Sequence, residues 1–109
     1  MNEDVIFLPR NLFKTKSWAR KPYALKLFIC LLFDAFQSAE KWDNIIVERG
    51  SLVINKKMYA EEYRLTDKQL AAGIACLKKH GEITTRRVAQ KYILVTVCNY
   101  EVYKTMKED

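Results

Sequence analysis

The chain has 109 residues, a formal net charge of +6, and hydrophobic side chains at 50% of its positions. That length suits one domain with a modest core, and that hydrophobic share argues against intrinsic disorder. The positive balance favours a polyanionic partner and leaves the fold open.

Residues 1–4 are acidic rather than basic, unlike the start of a signal peptide, so a cytoplasmic location is expected. Residues 4–8 form a short apolar run closed by Pro9. This run reads either as an edge strand or as an arm that packs on a partner. The stretch up to Lys21 carries Arg10, Lys14, Lys16, Arg20 and Lys21. These cations are either a solvated surface or contacts to a DNA backbone. Trp18 is expected to anchor the stretch to the core.

Pro22 suits the first position of a helix, predicted from Tyr23 to about Ala39. Leu25, Leu27, Phe28, Ile29, Leu31, Leu32, Phe33 and Phe36 make it apolar almost all round. It is too short for a bilayer and carries Lys26 and Asp34, so no membrane association is expected. One small core cannot easily surround such a helix. A homo-oligomer or docking surface is therefore expected on Leu27 and Leu31, together with Ile6 and Phe7 of the arm. Residues 38–44 read as a polar connection holding Trp42. Residues 45–47 and 52–54 are β-rich and predict a strand or bent β-segment that pairs with a later ribbon. Asn55 can cap a short helix from Lys56 to about Tyr63, with Met58, Tyr59 and Tyr63 as its inner residues. Arg64 and Leu65 then make the turn into the next helix.

That next helix has the clearest local signals. Thr66 is a good N-cap, and Gln69 stands where a capping-box partner reaches back to the cap amide. Leu65 and Leu70 have the spacing of a hydrophobic staple. Leu70, Ile74 and Leu77 repeat at helical spacing and predict one buried stripe. Lys78, Lys79 and His80 complement the dipole in the last turn, and Gly81 supplies a left-handed stop. Residues 82–88, a polar turn and residues 92–97 follow as a β-ribbon with a basic tip. Apolar side chains on both faces of residues 92–97 predict the middle strand of a three-stranded sheet. Tyr100 and Tyr103 are expected to cover the end of the domain, and residues 105–109 to fray.

A short helix, a turn, a capped helix and a β-ribbon with paired arginines form the pattern of a winged helix-turn-helix. The expected fold is therefore α+β, with three main helices, a small antiparallel sheet as the wing, and an N-terminal arm. The whole chain reads as one domain: an arm over residues 1–21, a core over 22–103 and a polar tail over 104–109.

Cys30, Cys76 and Cys98 are widely spaced in apolar runs and are expected as buried thiols. With one histidine in the chain, a zinc site is not expected. There is no P-loop, no glycine-rich dinucleotide loop and no GxSxG. Neither an enzyme, nor a cofactor, nor a small-molecule substrate is expected.

Charge carries the nucleic-acid argument. Lys56 and Lys57 open the first helix of the motif, Lys68 opens the second, and Arg86, Arg87 and Lys91 sit on the wing. Such cations contact phosphates, which positions a protein on DNA without reading sequence. Adjacent strand residues point to opposite faces, so only one of Arg86 and Arg87 is expected to face DNA. Base readout falls to Gln69, which can pair with adenine, joined by Lys68, Ala72 or Cys76 nearby, where an apolar group can meet a thymine methyl. Equally, Gln69 can serve only to close its capping box. Glu61 and Glu62 would repel DNA and are expected to face away.

Over residues 18–103 the chain resembles the small winged-helix domains of replisome organisers and of DnaD-like N-terminal modules from bacteria, phages and mobile elements. The resemblance rests on Trp18 ahead of a Leu/Phe-rich helix, on Trp42 followed by residues 46–53, and on Leu65-Thr66 opening the second helix of the motif. It continues through Leu77-Lys78-Lys79-His80-Gly81-Glu82-Ile83 and the strand that ends in Asn99-Tyr100. It implies double-stranded DNA as partner, in replication initiation or in control of a mobile element, with other replication proteins as further partners. Such domains often carry an arginine just after the first buried residue of the presented helix. Here Ala71, Ala72 and Gly73 stand there, which points to backbone contact, with a protein-docking or oligomerisation winged helix as the alternative.

Overall fold

A computed structural model describes residues 5–104. The acidic start and the frayed tail expected from sequence lie outside them, apart from residue 104. The described chain is an α+β fold of five α-helices and two small antiparallel sheets. In order it forms α1 (Leu12–Thr15), a 3-10 turn (Ser17–Arg20), α2 (Pro22–Asp34), β1 (Glu40–Trp42), β2 (Ile45–Val47) and β3 (Ser51–Ile54). Then come α3 (Lys56–Glu62), α4 (Asp67–Lys79), β4 (Ile83–Ala89), β5 (Tyr92–Val97) and α5 (Tyr100–Lys104).

The larger sheet has the order β3-β5-β4, so β5 is central, as its two apolar faces require. Leu52 lies across from Val95, Ile54 from Ile93, and Ile83 from Val97. These residues line the inner face of the sheet, with Leu52, Ile54, Ile83, Val95 and Val97 all buried. Gly81, at φ +73, makes the left-handed turn that leads α4 into β4.

α2 is the central post. It packs on α4, where Gly73 leaves room for Leu27: a Cβ there would stand 3.1 Å from Leu27 Cδ2. The Phe28 ring lies 4.7 Å from Trp18 and 5.0 Å from Tyr103, centroid to centroid. The domain therefore surrounds α2 with its own elements. Leu27 and Leu31 are 0% and 1% exposed, which overturns their expected place on an oligomer surface. The arm also turns inward. Ile6 and Phe7 are half-buried, Ile6 packs on the core, and the Phe7 amide donates to the Tyr103 carbonyl at 2.6 Å.

Five further expectations are corrected. α2 stops at Asp34 rather than near Ala39, because Ala35 turns extended and the Phe36 amide bonds to the Ser51 carbonyl at 2.9 Å. The connection after it contains β1, which pairs with β2 through a turn where Asp43 takes φ 53. Only β3, not β2, therefore joins the later ribbon. Met58 is 62% exposed, since the inner side of α3 is taken by Tyr59 and Ala60. Of the cysteines, Cys30 is buried, Cys76 is half-buried, and Cys98 is exposed just past the end of β5.

The basic stretch before α2 is tied down in part. Trp18 Nε1 donates to Glu82 Oε2 at 3.1 Å, and Lys16 Nζ pairs with the same oxygen at 3.0 Å. Arg20 Nε donates to the Phe13 carbonyl at 2.9 Å. Glu82 is 2% exposed, so this one carboxylate joins the N-terminal segment to the join between α4 and β4.

Candidate nucleic-acid interface

Three local structures meet on one side of the molecule. The first is the start of α3. Asn55 Oδ1 accepts the Met58 amide at 3.0 Å, which fixes the first turn and leaves Lys56 and Lys57 exposed. The second is the start of α4. Thr66 Oγ1 accepts the Gln69 amide and Gln69 Oε1 accepts the Thr66 amide, both at 3.0 Å, closing a full capping box. The third is the tip of the β4–β5 hairpin. Arg87 stands across from Ile93 and Ala89 from Tyr92, with a bulge between them. An Arg87 N–H donates to the Gln90 carbonyl at 2.8 Å, holding the guanidinium at the tip.

Between α3 and the hairpin tip runs an open groove of about 610 Å³. Lys56 and Lys57 line it from the helix, and Arg87 and Lys91 from the hairpin. Met58, Tyr92 and Ile93 give it an apolar lining. A smaller hollow of about 270 Å³ continues from Lys56 and Lys57 to Asp67, Leu70 and Ala71 at the start of α4. The groove is thus a cationic cleft with an apolar surface inside, next to the first turn of α4.

Of the residues singled out from sequence, Lys56, Lys57, Arg87 and Lys91 come together here. Lys68 and Ala72 are exposed on α4 but line neither hollow. Arg86 lies across from Leu94, on the sheet face opposite to that of Arg87. Gln69 is half-buried, and its amide oxygen is engaged by the cap. Pairing with adenine needs both that oxygen and the amide nitrogen, so the capping role is the one its geometry serves. Glu61 does not face away. It lines the same groove, because it sits one turn after Lys57 on the same side of α3. Glu62 lines an adjacent hollow of about 350 Å³ that shares Met58 and Tyr92 with the groove.

Sequence reasoning missed the aromatic part. The Trp42 and Tyr92 rings lie 5.3 Å apart at 56°, so the β1–β2 hairpin reaches the edge of the groove. Only the hairpin register, which puts Tyr92 just past the turn and across from Ala89, could have signalled it. Behind α3, the Tyr59 and Tyr63 hydroxyls both donate to Asp34 Oδ2, Tyr59 at 2.9 Å. Burial foremost, then the Asp34 charge and the hydrogen bond to it, push the Tyr59 hydroxyl far above its ordinary pKa. This network ties α3 to the end of α2 and so fixes one wall of the groove.

Among the described residues, no group of three or more His, Cys, Asp or Glu side chains could hold a metal ion. No helix among them is long and apolar enough to cross a membrane. Comparisons with protein-family models, with curated proteins and with solved structures found no match to this chain.

Proposed function

We propose that this chain is a winged helix-turn-helix protein that binds DNA chiefly through the phosphate backbone, in replication initiation or in control of a mobile element. The reading takes α3 and α4 as the helix-turn-helix and the β4–β5 hairpin as the wing. The observation that carries it is the gathering of Lys56, Lys57, Arg87 and Lys91 around one groove beside the start of α4.

A cost in stability supports the same reading. The first turn of α3 has no acidic residue and instead carries two lysines at the positive end of the helix dipole. Each lysine costs roughly 0.3–1 kcal/mol in that place. A local rule broken in this way is expected at a working surface. The exposed face of α4, with Ala71 and Ala72, offers little that reads bases, so binding is expected to tolerate most sequences.

Fluorescence anisotropy with a short random duplex tests the proposal. Four or five phosphate contacts give a log–log salt slope of about −4, or roughly a 250-fold loss of affinity from about 50 to 200 mM salt. Replacing Lys57 and Lys91 by Ala together lowers that slope by about two. Absence of binding at about 50 mM salt defeats the proposal.

A further inference from the structure

The groove is built unlike a surface that only tracks a duplex backbone. Its cations surround an apolar patch of Met58, Tyr92 and Ile93, and Tyr92 is 37% exposed. The Tyr92 ring is steadied by Trp42, 5.3 Å away between centroids. Glu61 stands among the four cations, where a carboxylate opposes phosphate but can accept a hydrogen bond from a base amino group. Aromatic rings set in a cationic groove are the means by which proteins hold unpaired bases.

We infer that this groove takes an unpaired nucleotide, so that the protein prefers DNA in which a duplex opens into a single strand. This rests on the nucleic-acid reading above and refines it. The base stacks on Tyr92 and lies against Met58. The flanking phosphates meet Lys57, Arg87 and Lys91. Glu61 accepts from an exocyclic amino group, which cytosine offers and thymine lacks.

The test compares a blunt duplex with the same duplex bearing an oligo-dC or oligo-dT overhang. The overhang is expected to tighten binding about tenfold, and dC to bind more tightly than dT. Tyr92→Leu, which keeps an apolar strand residue, removes the overhang gain, whereas Tyr92→Phe keeps it. Glu61→Gln abolishes the difference between dC and dT. Emission from Trp42, identified by its loss in Trp42→Phe, changes more with the overhang than with the blunt duplex. Equal affinity for blunt and overhang DNA, or a gain that survives Tyr92→Leu, overturns this inference while leaving duplex binding intact. Failure to bind any of the DNAs instead removes the parent proposal.

Discussion

Arg86 and Arg87 are consecutive in sequence and occupy opposite faces of β4. Arg87 lies across from Ile93 and lines the groove, whereas Arg86 lies across from Leu94 on the other face. The pair is therefore a natural internal control, since the two substitutions change net charge equally. Arg87→Ala is expected to weaken duplex binding several-fold and to reduce the log–log salt slope by about one. Arg86→Ala is expected to leave the slope unchanged. Parallel anisotropy titrations at several salt concentrations check this.

The lysines at the start of α3 separate stability from binding. Lys56→Glu places a carboxylate at the positive end of the helix dipole, with Ala60 rather than an acidic residue one turn on, so the fold should gain roughly 0.3–1 kcal/mol. The same change removes a cation from the groove and adds a repulsive charge, so duplex affinity should fall by more than tenfold at low salt. Urea unfolding and anisotropy on the one variant give changes of opposite sign. A variant that loses both stability and binding would mean that Lys56 has a structural role.

Lys16 and Glu82 make a third case, because only one partner is enclosed. Their side chains are 38% and 2% exposed. Removing Glu82 leaves a lysine that can turn to water, whereas removing Lys16 leaves a buried carboxylate with only the Trp18 N–H. Lys16→Met should therefore cost about 1–3 kcal/mol despite the exposure of the lysine. The double variant with Glu82→Gln should cost less than the two single changes added together. Denaturant midpoints for the four proteins of the cycle measure the coupling.

Alkaline pH tests the packing around α2. Burial, then the Asp34 charge, pushes the Cys30 thiol from its ordinary 9.0 up to about 11. Burial, then the Glu82 charge, pushes Tyr103 from 10.0 up to about 12. Tyr59 and Tyr63 are raised by burial foremost and by Asp34. In each case the native state holds the proton more tightly than the unfolded chain. The associated stability is fully present below the unfolded values and is lost as pH rises towards the folded ones. Urea midpoints should thus be flat up to about pH 9 and fall steadily to about pH 12. Cys30→Ala should delay the onset to about pH 10, where tyrosine begins to ionise. A midpoint that rises over this range would contradict the burial of these groups.

The elements with local causes were the legible ones. The Thr66–Gln69 box, the Asn55 cap, the Gly81 stop and the two-faced strand at 92–97 each depend on residues a few positions apart. What sequence reasoning got wrong depends on distant partners. The end of α2 is set by Ser51, which draws Phe36 into a β bond. Leu27 and Leu31 read as surplus apolar surface because nothing local reveals that α4, the 3-10 turn and α5 close around α2. The site divided in the same way. Its cations could be marked from their places at helix starts and at the hairpin tip. Its aromatic edge could not, because Trp42 reaches Tyr92 across some fifty residues of chain through a hairpin that sequence reasoning had taken for a connection.

The most direct measurement of the central claim is backbone amide shift mapping by NMR as a short duplex is titrated into the labelled protein. Binding in the groove predicts that the largest shifts fall on residues 55–61 and 87–93, with smaller ones at the first turn of α4. Shifts confined to α2 and the N-terminal segment, or none at a DNA concentration that saturates anisotropy, would contradict it.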